Sequence, residues 1–260
     1  INVLGLSVGF AAFYILWPYA QSELNSDRFH KDYEKIVRLT WHHRWTDNKQ
    51  DWHESDNAVN FCGVAKQIAD EFNEVEELTR FVPQGGFLKP LHGTGDKVFI
   101  AVYERDSSKH FFREANVAFV DPNFFQFFSF PLVKGDVSEV LKQPGTVVLS
   151  QAVSTKYFGA RDPLNSIIYL NDSLPLKVTG VFDDLPRNTY FRFDLAISTA
   201  GHDKIDDRFP ASFDQPTWMG ENFIRVREEV NFTKLEQQID ARRKILYSNF
   251  ENADPTVRIE

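Results

Sequence analysis

The chain has 260 residues, of which 42% are hydrophobic and 15% aromatic, enough apolar surface to fill a real core, which excludes a disordered segment. Its formal charge of -8, with no cluster of Lys and Arg, excludes a nucleic-acid surface, which needs concentrated positive charge against phosphates. Cys62 stands alone, so an intramolecular disulfide is excluded as well.

Residues 1–22, "INVLGLSVGFAAFYILWPYAQS", contain no charged side chain. A run of about 20 such residues at 1.5 Å rise matches a hydrocarbon layer of about 30 Å, so a transmembrane helix is expected here. Gly5 and Gly9 form a small-xxx-small pair, and Tyr14, Trp17 and Tyr19 gather near one end as an interfacial belt would. A secretory signal peptide fits less well, because the apolar run is long and no small-residue cleavage site precedes the charged residues. Residues 23–35 are charged but keep Leu24, Phe29 and Tyr33. They are expected to extend the helix outward as a stalk, with Asp27, Phe29, His30 and Lys31 as candidate coupling residues.

Beyond the stalk, "EKIVRLTWHH" reads as a strand, "NAVNFCGVAKQIADEFNEVEEL" as an amphipathic helix and "LTRFVPQ" as a second strand. The same grammar returns near the end. "ENFIRVRE" alternates as a strand, "NFTKLEQQIDARRKILYSNF" reads as a helix with Thr233 and Glu236 in a capping box, and "PTVRIE" begins a strand. Two β-α-β units far apart in sequence can share one sheet in a split arrangement. The expected fold is therefore α+β: a porter-like split subdomain over residues 36–120 and 217–260, with a mixed, β-rich subdomain inserted over 121–216. The insertion carries the strands "TVVLS", "SIIYLN" and "LPLKVTGVFDDL", and the helix "SQAVSTKYFG" ending at Gly159 as a C-cap.

"VDPNFFQFFSFPLVKGD" places Phe124, Phe125, Phe127, Phe128 and Phe130 within seven residues. Asp121 as N-cap and Pro122 at the first helical position predict a short helix. Phe124 and Phe128 then share a face, and a helix apolar on so many sides must be sandwiched between the two subdomains or form an interaction patch. The former is the preferred reading.

Catalytic chemistry is not legible. "GTGDK" at Gly93–Lys97 lacks the spacing of a phosphate loop and reads as a hairpin turn. His42 and His43 are strand neighbours that point to opposite faces, so they do not share a metal ion even with His53 nearby. No nucleophile elbow is present, and Cys62 lies within an amphipathic helix as a small buried residue would. No catalytic, metal or cofactor site is expected.

Taken in order, "NVLGLSVGFAAFYILWPY", "ELNSDRFHKDYEKIVRL", "VDPNFFQFFSFPLVKGD", "PGTVVLSQAVSTKYFGARDPLNSIIYLN" and "VTGVFDDLPRNTYFRFDLAIS" resemble the MacB-like periplasmic core domain of FtsX-like ABC transporter permeases. Val37 stands where the family commonly has Tyr, and Asn165 where it often has Gly. The resemblance implies a domain on the periplasmic side of the bacterial inner membrane, belonging to a permease dimer with a cytoplasmic ATPase. It also implies later membrane helices beyond this chain, and mechanical transmission of ATP-driven movement rather than chemistry. A periplasmic adaptor or a lipid-like or peptide cargo is a further implied partner. The alternative is an extracytoplasmic ligand-sensing domain of a membrane signalling protein.

Overall fold

A computed structural model describes residues 2–24, 30–46, 52–83, 98–103, 108–185, 189–201, 219–242, 245 and 254–259. Helix α1 covers Asn2–Leu24, with Pro18 inside it. A 3-10 turn at Tyr33–Lys35 leads into β1 (Ile36–Thr46), followed by β2 (Trp52–Asn57), β3 (Asn60–Phe61), α2 (Cys62–Glu71) and β4 (Val75–Pro83). Next come β5 (Val98–Tyr103), β6 (Lys109–Glu114), β7 (Val117–Val120), α3 (Phe124–Phe127) and β8 (Leu132–Lys134). The chain continues through β9 (Thr146–Ser150), α4 (Gln151–Phe158), β10 (Ile167–Leu170), β11 (Leu174–Phe182) and β12 (Leu195–Ser198). It closes with β13 (Met219–Val226), α5 (Phe232–Ala241) and β14 (Asp254–Ile259).

The described strands build one 14-stranded mixed sheet in the order β14-β1-β13-β4-β7-β12-β9-β11-β10-β5-β6, with β2, β3 and β8 pairing beside it. At one end β14, β1, β13 and β4 run antiparallel to their neighbours. Side chains alternate between faces along a strand. Val37 and Leu39 of β1 and Ile224 and Val226 of β13 therefore meet the apolar stripes of α2 (Val64, Ile68) and α5 (Leu235, Ile239) on one face. Their neighbours Ile36 and Phe223 face the other side, where the phenylalanines lie.

The expected boundary at residue 120 does not follow the sheet. β5 pairs with β10, and β6 pairs with β5 at the far edge, so residues 98–114 lie beside the β-rich half rather than the split unit. The parallel pairing of β7 with β12 and the antiparallel pairing of β4 with β7 join the halves without a break. Glu114, buried at the end of β6, accepts hydrogen bonds from Lys156 at 2.7 Å and Tyr157 at 2.8 Å, which fastens α4 to that edge.

Three local expectations are corrected. The stalk helix does not run through residues 30–35: His30 lies in a bend, Lys31 in a turn, and Asp32 at φ 58° stands in the left-handed region before the 3-10 turn. Asp27 and Phe29 lie outside the described residues, as does Gly93–Lys97. The first helical residues of α3 are capped by Asn123, not Asp121, without a side-chain hydrogen bond, because Asp121 is held by other partners. In α5 the N-cap is Asn231, whose side chain accepts from Lys234 N at 3.0 Å, in place of the expected Thr233. By contrast, Ser150 caps α4 and Gly159 ends it at φ 60°. Asn165 takes a left-handed φ of 64°, a conformation that asparagine tolerates better than most residues.

The described part of α1 leaves Val3, Val8, Tyr14 and Ile15 more than two-thirds exposed. Among the described residues no helix is long and apolar enough to cross a membrane, so the expected span is not met by that criterion.

An N-cap side chain that accepts a backbone N–H contributes about 1 kcal/mol. Asn231→Ala is therefore expected to destabilise the domain by about that amount, while Thr233→Ala leaves it nearly unchanged. Equal losses in denaturant unfolding would return the cap to Thr233.

Candidate functional site

The site is built on α3. Phe124, Phe125 and Phe127 are fully buried and Phe128 nearly so, so these rings form core and not an exposed patch. They pack with Phe81 of β4, Phe223 of β13 and, from the segment before β12, Phe191 and Phe193. Most contacts are edge-on, such as Phe128–Phe191 at 4.7 Å and 62° and Phe124–Phe191 at 5.4 Å and 89°, the geometry that the aromatic quadrupole favours. Residues from both halves of the sheet thus share one apolar cluster.

A helix of one turn cannot hold itself, since nucleation costs more than a single turn returns. Tertiary bonds to its end groups hold it instead. Arg225 donates to the Phe127 carbonyl at 2.6 Å, stands 4.7 Å over the Phe127 ring and pairs with Glu77 at 2.8 Å. Asn123 donates to Glu77 at 2.8 Å and to the Leu78 carbonyl at 2.9 Å. Asp121 accepts from Arg80 at 2.7 Å and from Thr199 at 2.8 Å. Past the helix, Ser129 takes φ 55° and the chain folds back so that Phe130 N bonds the Phe125 carbonyl at 3.0 Å.

His30 completes the site. It is buried, its Nδ1 lies 2.5 Å from the Phe128 carbonyl oxygen, and its ring packs against Phe128 at 5.1 Å and Phe130 at 5.0 Å. Five residues on, Lys35 pairs with Glu228 just past β13 at 2.8 Å. The connection after α1 is therefore attached to the aromatic core through His30 and, by an exposed ion pair, to the segment after β13. Of the four candidate coupling residues, the structure brings His30 to the phenylalanine cluster and places Lys31 in an exposed turn.

On the same face, Glu221 of β13 is buried beside Tyr190 and Arg38. Its Oε2 has no hydrogen-bond partner among the described residues. Burial pushes its carboxyl above the ordinary range, against the hydrogen bond from Tyr190 and the charge of Arg38, which both act downward. Tyr190 is pushed up in turn, first by burial and then by Glu221. The sequence reading missed Arg225 and Glu221, although strand alternation from Phe223 places both on the phenylalanine face.

Among the described residues no group of His, Cys, Asp or Glu could hold a metal ion. His42 pairs instead with Asp56 of β2 at 2.6 Å.

Residues 1–242 match the family of MacB-like periplasmic core domains. The chain belongs to that family. None of the curated proteins matches it. Among solved structures, a domain of a putative permease from Porphyromonas gingivalis has a TM-score of 0.66 at 18% identity, covering 89% of this chain and 91% of its own. The periplasmic region of MacB from Actinobacillus actinomycetemcomitans has a TM-score of 0.54 at 14% identity, with coverages of 86% and 87%. The extracellular domain of the ABC-type transporter YknZ from Gram-positive bacteria has 0.51 at 10%, with coverages of 86% and 99%. At these identities the likeness is one of fold. This MacB-like domain is thus a periplasmic domain of an ABC transporter permease family, with a large mixed sheet.

Two outcomes test the site. Phe124→Ala removes a fully buried ring and is expected to cost about 3–5 kcal/mol, read as a large fall in melting temperature. Glu221→Gln tests the buried carboxyl. A folded-state pKa above the unfolded value means that the native state favours the protonated form, an advantage present below the unfolded value and lost as pH rises through the folded one. Glu221→Gln is therefore expected to raise the melting temperature at neutral pH and to change it little below about pH 4, where the group is protonated in both states. A larger gain at acid pH would refute the assignment.

Proposed function

We propose that this domain transmits movement. ATP hydrolysis by a separate cytoplasmic ATPase shifts the membrane helices of a permease dimer, and the connection after α1 carries that shift into the periplasmic domain, which performs export or extraction work. Family membership supports the transporter over the ligand-sensing alternative. The single observation that carries the mechanical reading is the seat of His30 on the Phe128 carbonyl, within a cluster that both halves of the sheet share. A displacement of the connection cannot be absorbed locally there, because close-packed interiors transmit strain.

The assignment of α1 to the membrane rests on the uncharged residues 1–22 and on apolar side chains exposed around the helix. A helix whose described apolar side chains are exposed on all sides suits lipid. Ser7 donates to the Val3 carbonyl at 2.8 Å within its own helix, so its hydroxyl needs no water. The ATPase, the dimer, and an adaptor or a lipid-like or peptide cargo belong to the same proposal.

The test is paired measurement of ATP hydrolysis and cargo export by the full-length permease reconstituted with its ATPase in vesicles. His30→Ala is expected to leave hydrolysis running while export per ATP falls several-fold, with Lys31→Ala as an exposed control that changes neither. Normal export per ATP in His30→Ala, with the domain still folded, would remove the coupling role.

A further inference from the structure

Two side chains from different parts of the chain grip the end of α3. His30 Nδ1 meets the Phe128 carbonyl, and the carbonyl one residue earlier, that of Phe127, accepts from Arg225 at 2.6 Å. His30 belongs to the connection after α1, whereas Arg225 is a residue of β13 within the sheet. Register puts Arg225 directly opposite Ile36, the first residue of β1, which follows His30 by six positions in the chain. The contacts therefore close a ring. It runs from His30 along the connection to Ile36, across the ladder to Arg225, through the guanidinium to Phe127 O, and over one peptide to Phe128 O and back to His30.

Arg225 is itself fixed in place. Its Nη1 pairs with Glu77 of β4 at 2.8 Å, the two side chains being only 18% and 30% exposed, and its guanidinium stands 4.7 Å from the centre of the Phe127 ring. Glu77 also accepts from Asn123, at the other end of α3, at 2.8 Å. Charge-assisted bonds of this kind are shorter and stronger than neutral ones, and partial burial reduces their screening by salt. The fork of the guanidinium matters too. One arm serves a carboxylate and the other a carbonyl, a division that a single ammonium makes poorly.

We infer, resting on the mechanical reading above, that Arg225 is a second coupling residue, which locks α3 to the sheet so that movement of the connection reaches both together. Movement leaving α1 has two routes into the domain, one through β1 into the ladder and one through His30 into the turn of α3. Without Arg225 the turn follows His30 while β13 follows β1, and the difference is taken up between them. With Arg225 the two routes share one ring, and Glu77 and Asn123 carry the same displacement to β4. Coupling needs a contiguous physical network of this kind. The phenylalanine cluster alone does not supply it, because apolar burial is non-directional and the direction of the coupling is set by the hydrogen bonds.

The test uses the full-length permease with its ATPase in vesicles, with ATP hydrolysis and cargo export measured together. Arg225→Met, which keeps an unbranched stem and removes the donors, is expected to lower export per ATP several-fold while hydrolysis continues. Arg225→Lys keeps the charge toward Glu77 but lacks the second arm, so it is expected to be impaired as well, and it carries the comparison where Arg225→Met does not fold. Because His30 and Arg225 act on one ring, the double variant His30→Ala/Arg225→Met should be no worse than the more impaired single variant, the non-additivity of a shared network. Asn231→Ala, which loses a helix cap away from the ring, is the stability control and should export normally. Normal export per ATP in either folded Arg225 variant, beside an impaired His30→Ala, would overturn the inference and leave the mechanical reading standing. Losses that multiply in the double variant, or an equal loss in Asn231→Ala, would overturn it too. Normal export in His30→Ala would remove the mechanical reading and the inference with it.

Discussion

Everything in this fold depends on one aromatic cluster being shared by two halves of a sheet. Phe81 and Phe223 come from the end built around α2 and α5, while Phe182 and Phe193 come from the β-rich half, and Phe124 touches or stacks on members of both sets. Because close-packed aromatic rings lose contact energy for any relative shift, the halves are bound into one body. The strands alone would allow more freedom, since β4 and β7 pair over only three positions.

That constraint explains the polar groups around α3. A single helical turn has more unsatisfied end groups than internal bonds, and a buried carbonyl without a partner is costly. Arg225 satisfies Phe127 O, His30 meets Phe128 O, and the left-handed Ser129 brings Phe130 N to Phe125 O. The site is thus both the centre of the core and the place where the chain after α1 arrives. Glu221 is the exception on this face, a buried carboxyl whose ionised form is disfavoured by its surroundings.

The two ends of the sheet have different characters. Near β1 the outer layer is helical and apolar, closed by α2 and α5. Near β6 no described helix covers the outer face, and aromatic rings with cations lie in the open.

The sequence by itself determined the elements and much of their grammar. Period-2 alternation in "ENFIRVRE", the Ser150 cap and Gly159 stop of α4, and the density of phenylalanine after "VDPN" were all legible because they depend on near neighbours. It also carried the family, through the order of several phrases. Only the tertiary structure decided what Asp121 does: a residue that suits an N-cap by type is taken by Arg80 and Thr199, which lie 41 and 78 residues away. Only it decided that His30 ends on Phe128 O rather than continuing a helix, and that β5 and β6 cross to the far edge. Such choices are set by long-range pairing and burial, which leave no periodic trace in the local sequence.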